Sequence, residues 1–101
     1  MGWATKYIEA LKKGETVKFR PSGGSMTGRI ENRQLVTVAP LAEGDELAKG
    51  DVVLCKVAGH EYLHLIKAIG DGQYLIGNNR GGTNGWTHRK NIFGKCIQVE
   101  P

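Results

Sequence analysis

Residues 61–78 read "EYLHLIKAIGDGQYLIGN". Taken as extended chain, the first nine residues put Leu63, Leu65, Lys67 and Ile69 on one face and Tyr62, His64, Ile66 and Ala68 on the other, because strand side chains alternate. "GDGQ" then interrupts the apolar run, and "YLIGN" resumes it. Two strand-like runs joined by so short a glycine-bearing break predict a tight hairpin. The same grammar extends outward. "TVKFR" (16–20), "LVTVAP" (35–40), "DVVLCKV" (51–57) and "KCIQVE" (95–100) are short runs rich in Val, Leu and Ile. Glycine-bearing breaks separate them: "SGG", "AEGDELAKGD", "AGH" and "NNRGGTNGW". Only residues 3–12, "WATKYIEALK", depart from this pattern, with Trp3, Tyr7, Ile8 and Leu11 at helical spacing and Gly14 as a stop. So short a helix must dock to persist. The expected architecture is mainly β: a single coiled antiparallel or mixed β domain spanning residues 1–101. It comprises a short N-terminal helix within residues 1–14 and a β core over residues 16–99.

Composition sets the outer bounds. A chain of 101 residues fits one domain, and its apolar fraction is that of a globular protein rather than a disordered one. The formal net charge of +4 is carried by scattered Lys and Arg, which reads as a solvated surface and does not call for nucleic acid as partner. No apolar run approaches the roughly 18 residues of a membrane span, and no charged-then-apolar leader opens the chain. Cys55 and Cys96 each lie inside an apolar run, as buried free thiols of a reducing compartment would. The expected location is the cytoplasm. No cofactor or metal is expected.

Lys67 breaks the apolar pattern, lying between Leu65 and Ile69 on the more apolar face. Such a setting disfavours the charged ammonium, and a neutral lysine can accept a proton in catalysis. A lysine at an edge that reaches out to solvent is the alternative. A second anomaly is "PSGGSM" (21–26), which places small residues and one serine, Ser25, between two strand-like runs.

Together these features resemble the signal peptidase superfamily, which includes the self-cleaving domains of SOS-type repressors. Four blocks stand in the family's order over residues 16–99. "SGGSM" is similar to the block that carries the nucleophilic serine, which falls on Ser25. "GDVVLCKV" resembles the strand that follows, and "YLHLIKAIGDG" resembles the strand carrying the general base, which falls on Lys67. "IGNNRGGTNGW" looks like the late Gly-Asp-Asn-Arg box, with Thr83 at the hydroxyl that orients the lysine, and "IFGKCIQV" resembles the closing strand.

The resemblance implies a Ser25–Lys67 dyad cleaving a peptide bond through an acyl-enzyme. Gly23 and Gly24 would support an oxyanion hole centred on the Ser25 N–H. Ser22 and Met26 would line the substrate groove. Gly23 stands where signal peptidases carry a serine, and Asn78 stands at the box's acidic position. A compact bacterial or phage-encoded protein fits such a core. The alternative function is a catalytically inactive module of the same fold that binds a peptide or protein partner.

Other patterns point elsewhere. His60 and His64 are four apart, a spacing that chelates on a helix but not readily along a strand. "NNRGGTNGWTHRKN" (78–91) combines Arg80, Arg89 and Lys90 with Trp86. It could meet nucleic acid, or serve as a glycine-rich loop whose tryptophan covers the edge of the core. Lys6, Lys12 and Lys13 flank the helix, which suits a membrane surface or an ordinary wet face.

Overall fold

The structure, a computed structural model, describes residues 2–101. One α-helix, α1 (Thr5–Lys12), precedes seven strands: β1 (Val17–Phe19), β2 (Leu35–Pro40), β3 (Val52–Val57), β4 (His60–Gly70), β5 (Gln73–Gly77), β6 (Thr83–His88) and β7 (Ile92–Glu100). A 3-10 turn, Arg89–Asn91, joins the last two strands. The strands form one sheet in the order β1-β2-β7-β3-β4-β5-β6, and every pairing is antiparallel. The protein is mainly β with one short helix, as the alternating runs predict.

Both faces of the central strands are buried. Along β3, Val52 and Leu54 join a core beneath α1 that includes Ile8, Leu11, Val36, Val38, Leu63 and Leu65. Val53, Cys55 and Val57 turn the other way, to Ile66, Ile76 and Ile92, with Leu41 and Leu47 of the connecting loop packed against them. Burial on two faces explains why β3 reads as a continuous apolar run rather than a half-polar one. Cys55 is fully buried and Cys96 partly so, and both are free thiols. Burial pushes the Cys55 thiol up to about 12. Cys55 is therefore protonated and packs as a small apolar side chain.

The hairpins follow turn chemistry. Ala58–Gly59 joins β3 to β4 with φ of 50° and 83°, and Asp71–Gly72 joins β4 to β5 with φ of 50° and 75°. Left-handed conformation at both residues makes two-residue type I′ loops, whose twist matches the flanking strands.

Two devices hold α1. At its C-terminus Gly14, with φ of 86°, lets its own N–H reach the Leu11 carbonyl while the Glu15 N–H reaches that of Ala10. This pair of bonds is a Schellman ending. At the other end no side chain of the helix caps it. Instead, Glu61 of β4 accepts from the Ala4 N–H and from the Thr5 hydroxyl, each at 2.7 Å. A carboxylate is favourable there because the first N–H groups of a helix lack partners. Ile8 and Leu11 are buried and Tyr7 partly so, whereas Trp3 is 50% exposed, so the expected apolar stripe covers the sheet only in part.

Two readings of the sequence need correction. Residues 83–88 form strand β6 and not a loop. Trp86 lies on this edge strand, 49% exposed. The second concerns Lys67. The register of β4 against β5 shifts between Ile66 and Ala68, which leaves Lys67 as the unpaired residue of a bulge. A bulge breaks strict alternation. Leu63 and Leu65 are buried, but Lys67 is only partly covered and Ile69 is 48% exposed. The apolar face expected to run from Leu63 to Ile69 therefore ends before Lys67. Among the described residues, no helix is long and apolar enough to cross a membrane.

Candidate active site

Ser25 stands on a segment without strand or helix between β1 and β2, and its side chain is exposed. Local bonds hold the segment. The Gly23 N–H donates to Asn32 Oδ1 at 2.8 Å, the Thr27 hydroxyl to the Gly24 carbonyl at 2.7 Å, and the Gly28 N–H to Glu31 Oε2 at 2.8 Å. Met26 and Ile30, both buried in the core beneath α1, anchor it from below. Gly23 adopts φ of 104°, which a residue with a Cβ seldom tolerates.

The late box clamps this segment from the far side. The Asn79 N–H donates to the Ser25 carbonyl at 2.9 Å, and Asn79 Nδ2 donates to the Thr27 carbonyl at 2.8 Å. Asn78 shapes the box itself, since its Oδ1 accepts from the N–H groups of Arg80 and Gly82. A Cβ on Gly77 would collide with the Gly82 carbonyl oxygen and crowd the Lys67 stem.

The Ser25 hydroxyl meets a histidine. It donates to His64 Nε2 at 3.2 Å, and His64 Nδ1 donates to Asn84 Oδ1 at 2.7 Å. Both bonds are satisfied by one neutral tautomer, protonated at Nδ1, which leaves Nε2 free to accept. His64 is 9% exposed and stacks on Tyr62 with ring centroids 5.0 Å apart. Burial lowers its pKa from the ordinary value, and the Asn84 bond opposes that shift in part. Burial disfavours the imidazolium, so His64 is held as the neutral base near pH 7.

Lys67 has a different partner. Its Nζ donates to the Asn78 carbonyl at 2.9 Å, so it braces the box that clamps the Ser25 segment. Thr83 is exposed on β6 and pairs with Gly77. Ser22 and Met26 both line a cleft of about 150 Å³ beside Ser25, walled also by Trp3, Pro21 and His64. Among the described residues, nothing accepts a hydrogen bond from the Ser25 N–H. The Gly23 N–H is already committed to Asn32.

Reading the sequence alone misses His64 as Ser25's partner and misses Asn84 altogether. His64 lies in the same block as Lys67, but its spacing to His60 draws attention to metal binding instead. His60 is exposed at the start of β4. Among the described residues, no group of three His, Cys, Asp or Glu could hold a metal ion. Asn84 is hidden because "TNGWTH" does not read as a strand. The β5–β6 register shifts between Ile76 and Gly77, so Asn84 falls unpaired between Thr83 and Gly85. This second bulge frees the Asn84 side chain to reach His64.

No known family model matches this chain, and no curated protein matches it in sequence.

Proposed function

We propose that the protein is a serine peptidase of the signal-peptidase-like type, with Ser25 as nucleophile, His64 as general base and Asn84 as the group that orients the imidazole. The observation that carries this reading is the continuous bonding from Ser25 Oγ to His64 Nε2 at 3.2 Å and from His64 Nδ1 to Asn84 Oδ1 at 2.7 Å. A nucleophile, its base and the base's orienting group in series are the arrangement nucleophilic hydrolases use. As Ser25 Oγ attacks the substrate carbonyl carbon, its proton passes to His64 Nε2. The tetrahedral oxyanion lies towards the uncommitted Ser25 N–H. His64 then gives the proton to the leaving amine, and an ester to Ser25 remains. Water, deprotonated by the same nitrogen, attacks that ester, and as the acid is released the proton passes from Nε2 back to Ser25 Oγ. Asn84 is neutral, so it fixes the tautomer without adding a charge to stabilise the imidazolium. Lys67 supports the Asn78–Gly82 turn in this reading, in place of the base role that the sequence motifs assign to it.

A module that binds peptide without cleaving it is the second reading. The commitment of the Gly23 N–H to Asn32 favours it, since one backbone donor near Ser25 is unavailable to an oxyanion. Labelling with a fluorophosphonate, followed by mass spectrometry of the modified peptide, separates the readings. Modification of Ser25, abolished in His64→Gln and retained in Lys67→Met, supports the proposal. Labelling lost in Lys67→Met but kept in His64→Gln moves the base to Lys67. No labelling of the folded wild type favours the binding module.

A further inference from the structure

The cleft at Ser25 does not end at Trp3. On the other side of Trp3, Pro21 and Ser22, which form walls of both, lies a larger recess of about 460 Å³. Its floor is aromatic. Phe19 stacks on Tyr7 with centroids 4.3 Å apart, and Trp3 tilts against Phe19 at 5.7 Å. Its rim is cationic, with Lys6 and Arg20 both exposed. Lys6 Nζ lies 5.1 Å from the Tyr7 ring centre, and Arg20 Nη1 donates to the Arg33 carbonyl. Neither cation is paired with a carboxylate among the described residues, where the one salt bridge joins Lys95 to Asp51. The carboxylates of the neighbouring cleft are engaged elsewhere: Glu31 by the Gly28 N–H, and Glu61 by Ala4 and Thr5. The recess therefore offers an apolar aromatic floor with a positive rim that no salt bridge among the described residues neutralises, and the shared walls connect it to Ser25. Ser22 is three residues from Ser25, so the recess begins within about 11 Å of the reacting bond, roughly three extended substrate residues.

We propose that the recess of Trp3, Tyr7 and Phe19, rimmed by Lys6 and Arg20, is a substrate subsite that receives an apolar side chain flanked by acidic residues, on the peptide whose scissile bond lies over Ser25. This inference rests on the peptidase reading for the position of the scissile bond, and its test is independent of catalysis. An aromatic or long aliphatic side chain covers the exposed face of Trp3, while adjacent carboxylates meet the two cations. The charge contribution is that of exposed pairs, modest singly and screened by salt.

Binding is measured by fluorescence anisotropy on the Ser25→Ala protein, which cannot turn substrate over. Short labelled peptides of one sequence carry Phe-Glu-Glu, Phe-Lys-Lys or Ala-Gln-Gln in the variable segment. The Phe-Glu-Glu peptide is expected to bind about tenfold more tightly than Phe-Lys-Lys at low salt, a margin that narrows as salt is raised. Adding Lys6→Glu, a change at an exposed residue, is expected to remove most of that preference, and Trp3→Ala to weaken Phe-Glu-Glu towards Ala-Gln-Gln. Equal binding of all three peptides, or a preference unmoved by Lys6→Glu, overturns the subsite. Fluorophosphonate labelling of the wild type is run alongside. If Ser25 labels and the peptides bind alike, the subsite fails while the peptidase reading stands. If Ser25 does not label and the acidic preference holds, the recess is a peptide site and the peptidase reading fails.

Discussion

His64 sits on an eleven-residue strand flanked on both sides by other strands, whereas Ser25 sits on a segment with no strand or helix. The sheet holds the base through backbone ladders to β3 and β5 and through burial of its neighbours Leu63, Leu65 and Ile66. The segment holds the nucleophile through single bonds from Asn32, Thr27, Glu31 and Asn79, and through two buried anchors, Met26 and Ile30. Ladder bonds open together with the core, while such local bonds open with little cooperative cost. His64 is thus the fixed point of the proposed pair, and the position of Ser25 relative to it is the adjustable quantity.

The largest expected effect removes the chemistry from each side of the pair. Ser25→Ala and His64→Ala should each lower peptide cleavage by at least about a thousandfold. Ser25→Ala should leave the thermal midpoint nearly unchanged because the residue is exposed and its hydroxyl makes a single 3.2 Å hydrogen bond, to His64. A Ser25→Ala protein that still cleaves would break the comparison at its root.

Next in size is a core change in β3, the strand that pairs with the His64 strand. Leu54 is fully buried in the core beneath α1, and Leu54→Ala should cost about 2–5 kcal/mol by chemical denaturation. The counterpart on the segment side is Asn79→Ala, which removes the side-chain bond to the Thr27 carbonyl but keeps the backbone bond to Ser25. It should cost about 1 kcal/mol or less of stability. Its effect on acylation should be larger than that loss implies, because it acts on the placement of Ser25. A stability loss matching that of Leu54→Ala would mean that the segment is part of the core rather than an adjustable element.

The smallest effects are in the pH dependence. The proposed mechanism needs neutral His64, whose pKa lies below its ordinary value of about 6.5. The rate should therefore hold as pH falls through about 6.5 and decline only lower down, at the depressed value. Stability has the same sign. Between the depressed folded value and the ordinary unfolded one, the unfolded chain binds more protons, so stability rises with pH in that window. Asn84→Asp should move the acidic limb of the rate profile upward, since a carboxylate beside Nδ1 favours the imidazolium. An acidic limb unmoved by Asn84→Asp would argue against His64 as the titrating base.

Much of the fold was legible because its strands are dense in Val, Ile and Leu and its hairpins carry turn residues in register. β2 runs over the residues of the "LVTVAP" run, and Asp71–Gly72 turns where "GDGQ" says it should. β6 was not legible. Thr83, Asn84, Gly85, Trp86, Thr87 and His88 include no aliphatic side chain, and they become a strand because β5 presents an edge to pair with. Propensity yields to context most readily at such edges. The site was half legible. Small residues around Ser25 marked a serine set between two strand-like runs, and the glycine-bearing stretch that opens with Asn78–Arg80 marked a break that proves to clamp it.

By itself the sequence determined the strands other than β6, the tight hairpin at Asp71–Gly72 and the one short helix, because each follows from local patterns of apolar and turn-forming residues. Which side chain faces Ser25 was decided only by the tertiary structure. That choice depends on register, where a single-residue slip exchanges the two faces of a strand. Two bulges, one at Lys67 and one at Asn84, make such local slips here. The first takes Lys67 out of the alternation with Leu63 and Leu65 and leaves its amine on the Asn78 carbonyl. The second releases Asn84 from the β5–β6 ladder to hold His64 against the serine. Neither bulge has a signature in the residues that form it, because each arises from pairing with a strand elsewhere in the chain.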